Sequence, residues 1–244
     1  MKYENIGAIA RRGKTMKSYK APIKVTERVY QVGGPDISDG NDCCSYLLDG
    51  GGPLALVDCG CGPSYKTLVS NIIRLGFEPE DITTLLLTHG HIDHIGAAAL
   101  FRRDYGVEIA AHHQDAEAIE SGDRLMTAAF MYGIKLDPLP LDLVIRDDES
   151  TLQVGDLELN VVATPGHTPG SVAAYVDFSG FRVLFGQDIH GPFHPDFGSD
   201  IEAWRSSMAK LLELDADVLC EGHFGIYSTS DAVRAYILEY LDRF

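Results

Sequence analysis

The 244-residue chain has no long apolar run, and this absence excludes a helical membrane protein. A helix needs about 18 consecutive apolar residues to span a bilayer, and no segment approaches that length. The N-terminus also lacks the apolar core of a secretory signal, because the short apolar stretch at residues 6–10 runs directly into Arg11 and Arg12. The sequence therefore predicts a cytoplasmic protein.

Basic residues are scarce: 20 lysines and arginines face 36 aspartates and glutamates, which gives a formal net charge of −16. Nucleic acids and anionic membranes require a basic footprint, so the composition predicts neither as a main partner. Seven of the basic residues lie within residues 1–24. We expect this segment to be a basic extension, loosely ordered or packed on an acidic neighbour, with a nucleic-acid arm as the alternative.

Cysteines are few and odd in number: Cys43, Cys44, Cys59, Cys61 and Cys220. Without a secretion signal, an odd count is typical of reduced thiols rather than disulfides. Cys59 and Cys61 have metal-ligand spacing but no matching second pair. We expect all five cysteines to be small buried hydrophobic residues.

Hydrophobic periodicity and turn residues predict two groups of short strands, each followed by helices. The first group begins at residue 25, and the second begins at residue 143. Helices are predicted at residues 65–75, 95–105, 115–132, 201–214 and 231–241, the last with Ser230 as its N-cap. No linker or repeat separates the groups. Residues 25–244 are therefore predicted to form a single domain with two packed sheets and helices outside.

A cluster of three histidines and one aspartate follows the strand predicted at residues 82–87. Its members are His89, His91, Asp93 and His94. Such a cluster is unfavourable in a core, because each imidazole and the carboxylate would need a partner. Imidazole is a preferred zinc ligand, and two metal ions would satisfy all four side chains. A histidine-rich polar turn is the alternative interpretation.

Three further polar residues follow the ends of apolar strands, where a rigid scaffold presents functional groups. They are His167, Asp188 and His223. Each alone would be typical of a solvated loop. Together with the cluster they make five histidines and two aspartates, which suits two zinc ions that share a carboxylate and a water.

These residues lie in motifs that resemble, in order, those of the metallo-β-lactamase superfamily. The motifs are Thr-His-Gly-His-Ile-Asp-His at 88–94, Pro-Gly-His-Thr-Pro-Gly at 165–170, Gly-Gln-Asp at 186–188 and Gly-His at 222–223, together with Val-Asp at 57–58. The resemblance extends from about residue 25 to residue 223. It implies an α/β (α+β) fold, the four-layer αββα sandwich, with the site at the edge where the two sheets meet.

The resemblance also implies a role for each residue of these motifs. Each metal ion would have three ligands of its own: His89, His91 and His167 for one, and Asp93, His94 and His223 for the other. Asp188 would bridge the two ions. Asp58 would orient a ligand histidine and fix its tautomer. Asp93 and Asp188 would be the catalytic residues.

The implied chemistry is hydrolysis by a metal-bridging hydroxide, with two zinc ions as the expected cofactors and iron or manganese as alternatives. Asp93 would orient the hydroxide and handle its proton. The expected substrate is a small thioester, lactone or related ester. The alternatives are an oxidoreductase resembling the persulfide dioxygenases, with one iron on His89, His167 and Asp188, and a non-enzymatic metal-binding module.

The sequence differs from better-known members of the superfamily at several positions, and these differences narrow the expected activity. Asp188 stands where some β-lactamases of the superfamily have a cysteine, and only 21 residues follow His223, too few for the helical glutathione-binding region of glyoxalase II. The tyrosine that quorum-quenching lactonases have shortly after the bridging aspartate is absent. His190 or His194 would then serve as the proton donor, with a solvated loop histidine as the alternative in each case.

The predicted helix at residues 115–132 carries side chains suited to a pocket above the metals, among them Met126, Phe130 and Tyr132. Ordinary core packing and the interface of a homodimer are the alternatives. Tyr227, shortly after His223, is open to the same interpretations.

Overall fold

The computed structural model describes residues 19–244 of the chain. Most of the predicted basic extension, residues 1–18 of 1–24, lies outside the described residues. Within residues 19–244 there are a seven-stranded sheet and a six-stranded sheet. No helix of this part is long and apolar enough to cross a membrane.

The first sheet contains β1 to β7 side by side in chain order. Its strands are β1 (Ile23–Lys24), β2 (Val29–Gln31), β3 (Tyr46–Asp49), β4 (Leu54–Val57), β5 (Ile82–Leu86), β6 (Glu108–His112) and β7 (Leu143–Ile145). From β4 onward neighbouring strands are parallel, so helical crossovers connect them. These are α1 (Tyr65–Arg74), α2 (Ile92–Ile95), α3 (Ala98–Tyr105), α4 (His113–Ser121) and α5 (Ala129–Tyr132).

The second sheet has the order β13-β12-β11-β10-β9-β8. Its strands are β8 (Glu149–Val154), β9 (Leu157–Ala163), β10 (Val172–Phe178), β11 (Phe181–Gln187), β12 (Val218–Glu221) and β13 (Ile226–Ser228). Only the β11–β12 pair is parallel, and α6 (Ile201–Glu213) forms its crossover. The last helix, α7 (Ser230–Arg243), follows β13.

Alternating residues of the central strands are buried on both faces of each sheet. In β3, Leu47 packs with the helices outside the first sheet, whereas Leu48 packs between the sheets. In β11, Phe185 lies between the sheets, and Leu184 packs against Trp204 of α6. Three apolar interiors therefore separate four layers. The predicted αββα sandwich is confirmed.

Three local predictions were wrong. The helix predicted at residues 95–105 begins only at Ala98, and a separate short helix, α2, precedes it and includes Asp93. The helix predicted at residues 115–132 is broken, because α4 ends at Gly122, whose φ of 68° lies in the left-handed region that favours glycine. The N-cap of α7 is Thr229 rather than Ser230, since its side chain accepts a hydrogen bond from the Ala232 N–H.

Candidate metal centre

The ends of four strands present the predicted ligands to one another. The loop after β5 carries His89 and His91 and leads into α2, which carries Asp93 and His94. The loop after β9 carries His167, Asp188 directly follows β11, and His223 lies just after β12. Six of these side chains are buried, namely His89, His91, Asp93, His94, His167 and Asp188. The His223 side chain is 20% exposed, which leaves this side of the centre open to solvent.

His89, His91 and His167 form one ligand set. His91 Nδ1 lies 3.1 Å from His89 Nε2 and 2.9 Å from His167 Nε2. The three nitrogens converge on one point although His167 is 76 residues away from His91 in the chain. The two sheets must pack together before this set exists.

Asp93, His94 and His223 form a second ligand set beside the first. His223 Nε2 lies 3.3 Å from His94 Nε2 and 3.3 Å from Asp93 Oδ2. Asp93 and His94 are adjacent on α2, so a single helical turn presents both.

Asp188 lies between the two sets. Its Oδ2 is 3.6 Å from His167 Nε2 and 3.3 Å from His223 Nε2, and its Oδ1 is 3.2 Å from His94 Nε2. Although it lies 3.2 Å from His94 Nε2, the buried Asp188 Oδ1 forms no hydrogen bond with a described residue. One carboxylate therefore faces both sets, and one of its oxygens requires a cation or donor to satisfy it.

The two sets fit divalent ions. Around a tetrahedral zinc ion with bonds of about 2.0–2.1 Å, neighbouring ligand atoms are about 3.3 Å apart. The separations within the two sets are between 2.9 and 3.3 Å. Three imidazoles with one shared carboxylate on one side, and two imidazoles with two carboxylates on the other, are donor sets that suit zinc.

In two of the ligand histidines, His94 and His167, the ring nitrogen remote from the centre is held by a hydrogen bond. His167 Nδ1 donates to the Pro192 carbonyl oxygen at 2.9 Å, and His94 Nδ1 donates to Asp58 Oδ2 at 2.8 Å. Asp58 in turn accepts hydrogen bonds from the Thr88 N–H and hydroxyl at 2.8 and 2.7 Å. Contacts of this kind fix the tautomer of a metal-binding histidine and leave its Nε2 free to bind.

The electrostatics of the two sets differ. Burial lowers the pKa of His91 to about 3 and that of His167 to about 4, so both rings are neutral, which is the metal-binding form. Burial also lowers the pKa of His223, but Asp188 and Asp93 outweigh it and raise that pKa to about 11. Burial raises the pKa of Asp93, and its hydrogen bond with His223 reverses the shift and lowers the pKa to about 2. A cation in the second set would therefore displace a proton.

Comparison with known proteins identifies the family of the chain. The family profile described as the metallo-beta-lactamase superfamily matches residues 39–223, about three-quarters of the sequence. The chain belongs to the metallo-β-lactamase superfamily.

Individual relatives agree with this assignment to a superfamily of hydrolases. Hydroxyacylglutathione hydrolase GloC of Haemophilus influenzae is 31% identical over 194 residues, which cover 76% of this chain and 86% of that protein. The probable metallo-hydrolase YflN of Bacillus subtilis is 28% identical over 222 residues, covering 78% and 82%. The subclass B3 metallo-β-lactamase BJP-1 of Bradyrhizobium japonicum superposes with a TM-score of 0.78 at 21% identity, covering 95% and 94%, and shows the same fold.

Of the residues predicted to line a pocket, Tyr132 and His190 adjoin this metallo-β-lactamase centre. The Tyr132 hydroxyl donates a hydrogen bond to Asp93 Oδ2 at 2.9 Å. The His190 ring lies 5.3 Å from the His223 ring, and its Nδ1 lies 2.9 Å from Glu221 Oε1. Both side chains therefore lie beside the second ligand set.

The side chains of the other four predicted pocket residues form no hydrogen bond with a ligand side chain. Phe130 is 46% exposed on α5, and Tyr227 stacks on Tyr236 with ring centroids 4.3 Å apart. Met126 lies beside Gly198, which follows the short helical turn Pro195–Phe197. The half-exposed His194 accepts a hydrogen bond from the Asp196 N–H, and its ring lies 5.5 Å from that of Phe197.

Glu221 escaped the sequence analysis, and Gly222 entered it only as part of the Gly-His motif, without a role. Glu221 is fully buried, and its Oε2 accepts hydrogen bonds from the His223 and Phe224 N–H groups at 2.6 and 2.8 Å. Gly222 lies so close to the centre that a Cβ there would be 2.1 Å from Asp188 Oδ1. The sequence signal for both residues was their position directly before the ligand His223.

Proposed function

We propose that this protein is a binuclear zinc hydrolase that cleaves small acyl substrates, namely thioesters, lactones or related esters. The observation that supports this proposal is the pair of ligand sets that face one another across the Asp188 carboxylate. Two zinc ions bound there would lower the pKa of a coordinated water toward about 7 and polarise the scissile carbonyl.

Asp93 is suited to handle the proton of the attacking water. Its carboxylate is buried at the centre, and the Tyr132 hydroxyl and His223 Nε2 hold its Oδ2 in place. Burial, and then the Asp93 carboxylate, raise the pKa of Tyr132 above its usual range, so the phenol remains a hydrogen-bond donor. Asp93 would therefore orient the water and accept its proton, and Tyr132 would keep Asp93 oriented.

Exposed apolar side chains on the segments that carry Tyr132 and His223 support an apolar acyl group in the substrate. Phe130 and Met131, on the same helix as Tyr132, are 46% and 61% exposed. Phe224, directly after His223, is 56% exposed and packs on the His190 ring at a centroid distance of 4.7 Å. The relative GloC is a hydrolase of hydroxyacylglutathione, which is a thioester. A thioester with an apolar acyl chain is therefore the first substrate class to test.

Metal analysis and a substrate panel test the proposal. The purified protein, saturated with zinc and desalted, should retain about two zinc ions per chain and hydrolyse thioesters or lactones of increasing acyl length. Asp188→Ala should remove turnover and lower the metal content. One iron per chain in the protein as purified, before zinc is added, together with oxygen consumption would refute the hydrolase and favour the persulfide dioxygenase-like alternative. Two bound zinc ions without turnover on any acyl substrate would favour the non-enzymatic module.

A further inference from the structure

Asp115 is a buried carboxylate that no ligand motif includes. It lies in the first turn of α4 and is 4% exposed. Its Oδ2 accepts hydrogen bonds from the Gly90 N–H at 2.8 Å and the Thr168 hydroxyl at 2.7 Å, and its Oδ1 accepts one from the Gly170 N–H at 2.7 Å. All three donors belong to loops that carry metal ligands.

The positions of these donors relate Asp115 to one ligand set only. Gly90 lies between His89 and His91, and Thr168 directly follows His167. Asp115 therefore joins the loop of the first sheet to the loop of the second sheet at the points where all three ligands of the first set emerge. The hydrogen bonds that Asp115 accepts involve none of the backbone that carries Asp93, His94 or His223.

The fit around Asp115 is tight. A Cβ on Gly170 would lie 2.6 Å from Asp115 Cγ, so only glycine allows the loop to approach the carboxylate this closely. Burial raises the pKa of Asp115, and the hydrogen bonds from Thr168, Gly170 and Gly90 oppose that shift. Two backbone N–H groups and one hydroxyl converge on the two carboxylate oxygens, so this one side chain can clamp both loops.

We infer that Asp115 is a positioning residue that fixes the geometry of the His89, His91 and His167 set and leaves the second set largely independent. The inference rests on the proposed metal-binding function. Mutation of a residue that holds a metal ligand by hydrogen bonds typically lowers metal affinity by about 10- to 100-fold. Loss of the clamp should therefore weaken one of the two sites by about that factor.

Asp115→Asn tests this inference, because an amide retains one acceptor oxygen and turns an N–H₂ group toward a donor. The measurement is binding of Zn²⁺ in competition with a chromophoric chelator, together with the absorption spectrum of the Co²⁺-loaded protein. We expect one Zn²⁺ to bind as in the wild type and the other about 10- to 100-fold more weakly. The Co²⁺ spectrum should resemble that of His91→Ala and differ from that of His94→Ala.

A matched control is Asp42→Asn, which alters another buried carboxylate, hydrogen-bonded to Ser38 and the Cys61 N–H, and should leave both affinities unchanged. If Asp115→Asn does not fold, Thr168→Val removes a single donor and should weaken the same site by a smaller factor. Two unchanged affinities in the variant that folds, or equal weakening of both, would overturn the inference while the proposed function stands. A wild-type protein that binds no Zn²⁺ would instead overturn the proposed function.

Discussion

Gly222 provides a sensitive test of the position of Asp188. In Gly222→Ala the new Cβ would lie 2.1 Å from Asp188 Oδ1 and 3.1 Å from the Gln187 carbonyl carbon. Carbon and oxygen atoms in C–H···O contacts stay about 3.3 Å apart, so the Cβ and the carboxylate must separate by about 1.2 Å. Metal sites tolerate ligand displacements of about 0.2 Å, so a shift of this size should remove Asp188 from at least one ion.

The expected result is loss of the shared ligand without loss of the fold. Displacements of about 1 Å near reacting groups can lower turnover by about 100-fold. Overpacking typically costs about 1–3 kcal/mol of unfolding free energy, which lowers Tm by about 2–12 °C in a chain of this size. The zinc content should decrease from about two to about one per chain, measured by plasma emission spectrometry after desalting.

Gly40→Ala is the matched control, because a Cβ at Gly40 meets nothing within 4 Å. It should retain the zinc content, kcat/KM and Tm of the wild type. If Gly222→Ala also binds two zinc ions with unchanged kcat/KM, Asp188 does not bridge the ions and the reasoning from its position is refuted.

Three further predictions concern the same centre. Asparagine tolerates the φ of 60° at position 58, so Asp58→Asn should keep the backbone but weaken the contact with His94. The zinc affinity should therefore decrease by about 10- to 100-fold in chelator competition. An unchanged zinc affinity would contradict the orienting role of Asp58. Tyr132→Phe should lower kcat by about 10-fold or more at full zinc content, since Asp93 would still bind its ion but would lose the hydrogen bond that orients it. A kcat equal to that of the wild type would exclude Tyr132 from the reaction. Removal of metal should lower Tm in differential scanning calorimetry, because an ion present at 100 times its Kd stabilises the folded state by about 2.7 kcal/mol. The original Tm should return only when zinc is added. An unchanged Tm would indicate that no ion is bound.

The layers of the fold could be predicted from local patterns because sheets and helices bury alternating or periodic apolar residues. The breaks in those patterns were harder to place. The segment between α4 and α5 has helical composition, but the left-handed conformation of Gly122 ends the first helix there. Thr229 has a φ of 98°, and this strained residue, rather than the neighbouring Ser230, caps α7.

The sequence by itself determined which side chains are available for a metal centre. His89, His91, Asp93 and His94 lie within six residues of one another, and polar groups that dense at the end of an apolar strand indicate metal binding without any tertiary information. The distant motifs, in their order along the chain, resemble those of the metallo-β-lactamase superfamily, and that resemblance implied the fold.

Only the tertiary structure decided what surrounds those ligands. Tyr132 reaches Asp93 from α5, Asp115 clamps two loops from α4, and Glu221 holds the backbone at His223. None of these contacts has a local signature, since a tyrosine or carboxylate on a helix or strand looks the same in sequence whether it faces solvent or a metal centre. The contacts of Asp115 depend on how the two sheets pack, because they bring together residues as far apart in the chain as Asp115 and Gly170, 55 positions.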